Sequence, residues 1–348
     1  MAKRRGSKSV TPDDLAGRYV DLVHRYDLDE PEPHGSAPPS TPELAMDRLT
    51  EGNARFATFM KNCRKSIAGE PVVIPCDRTE VGLGEHDAYG RPKQSPFALI
   101  LGCSDAREPA EILFGQGFDD LFTVRVAGNV LGDECVGSVI YALDKFAPAS
   151  KSSAPGSLKL ILVIGHRNCG AVHAAVEAHE GDPSTLLERS GSTPHPLAAI
   201  VARIAPVVTV SAWAIDGSYG PGASLDKKHT EVLTEIAVYL NAAWAAYELA
   251  RIVNARFPGK YPAPVAVRFG VFDLSNDLVQ GEPPPYASAT SPRQVSFEVP
   301  PDSPSWFPRA AEKIATSFAK KFPRGDEDLK TGGYTYSAWH RMSADGLV

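Results

Sequence analysis

The chain has 348 residues, 43% of them hydrophobic, enough for a sizeable core in one large domain or two ordinary ones. A formal net charge of -6 gives no reason to expect nucleic acid or an anionic membrane as partner. No apolar run approaches the roughly 20 residues expected of a membrane-spanning helix. Five cysteines, with a basic start (Met1-Ala2-Lys3-Arg4-Arg5) that leads into no hydrophobic stretch, point to reduced thiols and the cytoplasm.

Residues 1–42 read as an N-terminal arm, with a short apolar periodicity from Leu15 to Leu28 followed by a Pro/Ser/His segment. A helix is predicted to start after Ser40 or Thr41. Pro42 suits a first turn, and Glu43 stands three residues after Ser40 as in a capping box. Leu44, Leu49, Phe56 and Phe59 are expected on its buried side. Residues 62–94 are polar with scattered Gly and Pro, and read as a long loop.

The pattern then changes to short runs rich in apolar and β-branched residues: Phe97–Leu101, Leu121–Val126, Leu158–Ile164 and Pro264–Phe272. Helical stretches separate them, at about Val136–Phe146, Gly170–Ala178 and Lys228–Arg256. This alternation predicts an α/β fold with a mostly parallel central sheet flanked by helices. Two stretches interrupt the scheme: an insertion at about 181–226, rich in Gly, Pro and Ser, and an extension over 281–348. The extension carries an amphipathic stretch, Pro308–Phe322, and an aromatic patch at Tyr334, Tyr336 and Trp339. The catalytic domain is assigned to 43–280.

Two clusters carry the chemistry. Cys103-Ser104-Asp105-Ala106-Arg107 follows one strand and His166-Arg167-Asn168-Cys169-Gly170 another. Two thiols and one imidazole make the ligand set of a zinc site with an open fourth position. Residues two apart in an extended segment point the same way, so Cys103, Asp105 and Arg107 can face one cavity. Residues three apart at the opening of a helix share a face, so His166 and Cys169 can grip the same ion. Arg107 is placed to pair with Asp105 through a forked contact. With Arg107 holding the carboxylate, water can reach the ion; with Asp105 on the ion, the fourth position closes. Both clusters fall at carboxyl ends of strands, where open α/β sheets bind ligands. The chemistry expected is metal-assisted hydration or hydrolysis.

These motifs resemble those of the β-class carbonic anhydrases, with their Cys-x-Asp-x-Arg and His-x-x-Cys-Gly segments. Met46 to Phe56 resembles the family's N-terminal helix, and Gln94-Ser95-Pro96 stands before the first strand as it does there. The stretch Cys103 to Asn129, Gly165 to Val172, and Gly270 to Leu274 extend the likeness over roughly residues 43–280. The resemblance implies one Zn2+ per chain on Cys103, His166 and Cys169, with Asp105 and Arg107 as a dyad beside zinc-bound water. It also implies Gln94 and the Gly170 amide as donors to substrate, with Phe122, Ala127 and Tyr141 lining an apolar pocket. The implied reaction is reversible hydration of carbon dioxide to bicarbonate and a proton through zinc-bound hydroxide, in a homodimer or higher homo-oligomer whose N-terminal helix packs on the neighbour.

Two alternatives stand beside it. One is hydrolysis of a related heterocumulene, carbon disulfide or carbonyl sulfide. The other is a non-catalytic zinc-stabilised binding protein, to which a retained Asp105–Arg107 pair would be superfluous. Cys63, Cys76 and Cys135 read as incidental thiols. His173, one helical turn past Cys169, is either a proton relay or an ordinary helix histidine.

Overall fold

An apolar run becomes a strand buried on both faces when its alternate side chains have two layers to enter. The structure, a computed structural model, describes residues 22–27, 38–65, 72–77, 86, 89–91, 93–148, 156–181, 196–260, 263–285 and 294–331. Near the N-terminus, β1 (Leu22–Asp27) pairs in parallel with β2 (Val72–Asp77), and α1 (Pro42–Lys65) runs between them. The main chain then continues through β3 (Ala98–Gly102), α2 (Ala110–Leu113), β4 (Leu121–Arg125), α3 (Asp133–Phe146) and β5 (Leu160–His166). After these come α4 (Gly170–Glu180), α5 (Pro196–Tyr219), α6 (Thr230–Arg256), β6 (Ala266–Asp273), β7 (Leu278–Gln280), α7 (Trp306–Lys321) and α8 (Asp326–Thr331).

The central sheet has the order β4-β3-β5-β6-β7, parallel except for β7, which turns back along β6. From β3 the chain goes to one side for β4, then returns across to the other side for β5. The order therefore reverses at β3, and the carboxyl ends of β3 and β5 lie side by side. Alternate residues serve the two layers. Leu99, Leu101, Ile161, Val163, Val267, Phe269 and Val271 face a core built with α3 to α7. Ala98, Ile100, Leu160, Leu162, Ile164 and Phe272 face a smaller core with α1 and α2.

Thr41 is the cap of α1, its hydroxyl accepting from the Leu44 N–H at 3.3 Å, with Pro42 in the first turn. The helix packs on its own chain through Ala45, Leu49, Gly52, Asn53 and Phe56. That phase leaves Leu44, expected inside, 49% exposed. Gly52 sets the phase: a Cβ there would collide with the Phe114 carbonyl of α2. The region 62–94 is not all loop either, since it holds the last turn of α1 and β2.

The largest difference from expectation is α5. It occupies residues assigned to a Gly/Pro/Ser-rich insertion, and it packs against α4, α6 and α7. It is also long and apolar enough, by length and composition alone, to cross a membrane, contrary to the sequence reading. Its Val201, Ile204, Val207, Val208, Ala212 and Ile215 are buried in the main core, as in the core helix of a globular fold.

The C-terminal segment is built into the same core. Phe269 and Glu298 exchange both backbone hydrogen bonds, at 3.0 and 2.8 Å. Phe307, Ala311, Ile314, Ala315 and Phe318 form the buried stripe of α7. Asp326 accepts from the Glu231 and Val232 N–H groups at the open end of α6. The aromatic patch at Tyr334, Tyr336 and Trp339 lies outside the described residues.

Candidate metal centre

β3 and β5 deliver their ligands by ending next to each other. Cys103 follows β3 directly, and His166 is the last residue of β5, paired in register with Phe272. Asn168 then takes a left-handed turn (φ 57°), a conformation Asn tolerates better than most residues, and Cys169 precedes the first turn of α4. Their ligating atoms all lie within 4.8 Å of one another, with the two sulfurs 4.0 Å apart, and all three residues are buried. The His166 Nδ1 faces the Arg167 carbonyl at 2.9 Å, which leaves the buried Nε2 with no hydrogen-bond partner. An orphaned imidazole nitrogen between two thiols is the donor set of a soft or borderline cation, and zinc fits it.

Electrostatics favour a cation there. The Cys169 thiol beside Cys103 holds the Cys103 thiol down to about 4, helped by His166 and the Gly128 amide against the opposing effect of burial. The same hydrogen bond, together with burial, pushes Cys169 up. A divalent ion would take the place of the proton the two sulfurs share.

Asp105 is turned toward Arg107. Its Oδ1 accepts from the Arg107 backbone N–H and Nε, both at 2.9 Å, and its Oδ2 accepts from Nη2 at 2.6 Å. The Arg107 guanidinium therefore holds the Asp105 carboxyl down to about 2. Oδ2 stays 3.8 Å from His166 Nε2, close to the ligand cluster but committed to arginine. Gly170 opens α4 with nothing within 4 Å of where a Cβ would sit.

The remaining expected residues are placed less centrally. Gln94 is exposed in the segment leading into β3. Phe122, Tyr141 and Phe146 form an aromatic group between β4 and α3, with centroids 5.9 to 6.3 Å apart. Ala127 adjoins Gly128, whose N–H reaches the Cys103 sulfur. No hydrogen bond among the described residues joins Gln94 or Tyr141 to the cluster. His173 lies 3.5 Å from Glu177 on the same helix face.

Sequence reasoning missed the groups that surround the ligands. Glu108 is 2% exposed, and burial pushes its carboxyl up to about 8. Arg125, the one charge in its strand, reaches the backbone of Cys103 and Asp105. Arg167 Nε donates to both Glu235 oxygens at 3.0 and 2.9 Å, and its Nη1 lies 3.2 Å from Asp273. The only signal for that buried group was a charged residue inside the ligand motif.

Residues 98–210 match the profile of the carbonic anhydrase family. The carbonic anhydrase of Mycolicibacterium smegmatis is 37% identical over 141 residues, which are 40% of this chain and 56% of that protein. Carbonic anhydrase 2 of Mycobacterium tuberculosis gives the same figures. The chain thus spans little more than half the length of these relatives. Among solved structures, a β-carbonic anhydrase of Aspergillus fumigatus superposes with a TM-score of 0.37 at 20% identity, over 65% of this chain and 84% of that one. The profile match extends to residue 210, within α5.

Proposed function

We propose that this chain, whose residues 98–210 match the carbonic anhydrase family profile, is a carbonic anhydrase, a zinc-dependent carbonate dehydratase interconverting carbon dioxide and bicarbonate. One observation carries the reading: three buried soft or borderline donors converge while the Asp105 carboxylate beside them is held by arginine. Cys103, His166 and Cys169 would hold the ion, and zinc when bound supplies a Lewis acid that makes water acidic near neutral pH. Two thiolates offset much of the ion's charge, so the surrounding residues carry more of the work.

Asp105, kept ionised by Arg107, is the proposed hydrogen-bond acceptor that orients water at the cluster. The Arg167 carbonyl keeps the His166 ring oriented, with Nε2 presented to the ion. The Gly170 N–H, in the first turn of α4 where amides lack helical partners, is the proposed donor to a bicarbonate oxygen. Gln94, Phe122, Ala127 and Tyr141 are proposed to contact the substrate. Exposed apolar side chains at Ile112, Phe118, Ile140 and Tyr141 support a homodimer or higher assembly, which light scattering would test. The cytoplasm is the proposed compartment, where thiolate ligands stay reduced.

The deciding experiment measures zinc content and stopped-flow hydration of carbon dioxide for the wild type and Cys103→Ser, with sulfide release from carbon disulfide followed in parallel. The expected result is a zinc-loaded, active wild type and loss of both properties in Cys103→Ser. Full zinc without turnover would make the chain a metal-stabilised binding protein. Sulfide release without hydration would replace the substrate.

A further inference from the structure

The last ladder bond of β3 on its β4 side is donated by Val126 to the Gly102 carbonyl at 3.1 Å. Cys103 therefore stands just beyond the sheet, where its own N–H and C=O need partners from elsewhere. Glu108 and Arg125 provide them. Glu108 Oε2 accepts from the Cys103 N–H at 3.2 Å. Arg125 Nε donates to the Cys103 carbonyl at 2.9 Å, and its Nη2 donates to the Asp105 carbonyl. The Gly128 N–H meets the sulfur itself at 3.2 Å.

Glu108 is an unfavourable choice for folding alone. Its side chain is buried, and its Oε1 has no hydrogen-bond partner. An unsatisfied buried polar atom costs roughly 1–3 kcal/mol, and an apolar residue would avoid that cost. What Glu108 supplies instead is a fixed acceptor for the peptide that carries a ligand. Ligand distances must hold to about 0.2 Å for a metal site to form well, and a rotation of the Cys103 backbone would swing the sulfur out of range.

We propose that Glu108 and Arg125 are positioning residues that clamp the two sides of the Cys103 backbone, so that its sulfur and the Arg107-facing Asp105 keep their places around the ion. This rests on the metal-holding role of Cys103 proposed above. The clamp acts through hydrogen-bond geometry: one acceptor on the N–H and one forked donor on two carbonyls. An amide at residue 108 would preserve it, and a hydrocarbon would not.

The test uses the full chain and zinc itself, with affinity read by competition against a chromophoric chelator. Glu108→Leu and Arg125→Met are each expected to weaken zinc binding about 10- to 100-fold, while Glu108→Gln stays within about threefold of wild type. Glu108→Leu exchanges an unpaired Oε1 for an unpaired Cys103 N–H, so the zinc-free chain is expected to melt close to wild type, which separates positioning from a loss of fold. In cobalt(II)-substituted protein, the sulfur-to-cobalt absorption should change in Glu108→Leu and Arg125→Met but not in Glu108→Gln. Wild-type zinc affinity in Glu108→Leu would overturn the clamp, as would an equal loss in Glu108→Gln. Should Glu108→Leu fail to fold, wild-type affinity in Arg125→Met overturns it just as well. A wild type that takes up no zinc removes the metal reading and the clamp with it, whereas a zinc-binding wild type matched by its variants removes the clamp alone.

Discussion

Replacing Arg167 with methionine should expose how strongly the buried charges behind the metal site depend on one another. Methionine fills much of the arginine stem but leaves Glu235 and Asp273, 2% and 1% exposed, without the guanidinium between them. Breaking a buried ion pair by removing one partner costs about 3–5 kcal/mol. Burial already raises the Glu235 carboxyl, with Arg167 opposing the rise, so its loss drives Glu235 further up. A carboxyl raised in the folded state keeps its contribution below its unfolded pKa and loses it as pH rises through the folded value. Each tenfold difference in proton affinity adds about 1.4 kcal/mol to that loss. Guanidinium denaturation of zinc-free protein should therefore show the Arg167→Met deficit near 3–5 kcal/mol at pH 8 and a smaller one at pH 5.5. Arg167→Met/Glu235→Gln should recover most of it at pH 8. A deficit under about 1 kcal/mol at pH 8, or one that does not shrink on acidification, would refute the reasoning.

Asn53 donates to the Leu113 and Asp277 carbonyls and accepts from the Val279 N–H, joining α1 to the edge of the sheet. Asn53→Ala leaves these groups unpaired in the interior and should cost about 3 kcal/mol or more, read by urea denaturation. Asp326→Ala removes the cap on α6 and should cost about 1 kcal/mol by the same measurement. Arg107→Met should move the Asp105 carboxyl from about 2 toward the ordinary carboxylate range in a carbon-detected NMR titration. The sign follows from the lowered value: the pair's stabilisation is present above the unfolded pKa and lost as pH falls toward 2, so the variant should lose that part of the acid dependence.

The ligands and the dyad were legible because each depends on short spacing at a strand end: Cys103 to Arg107, and His166 to Cys169. Strand and helix periods turn such spacing directly into a shared face. Strands β3 and β5 were legible for a similar reason, since a strand buried on both faces reads as a nearly continuous apolar run. Helix α5 was hidden because glycine, proline and serine on either side of Pro196–Tyr219 diluted its composition. Leu44 was misplaced because the phase of α1 is set by the contact of Gly52 with Phe114, far along the chain.

Local order in the chain thus determined which residues offer themselves to a metal, because neighbours in sequence share a face whatever the rest of the fold does. Only the tertiary structure decided what encloses them. Glu108, Arg125, Glu235 and Asp273 become partners of the ligand segments through a strand order that reverses at β3 and through a helix returning over the sheet. A buried charge must find its counterpart wherever the packing brings one, and spacing along the chain carries no record of that distance.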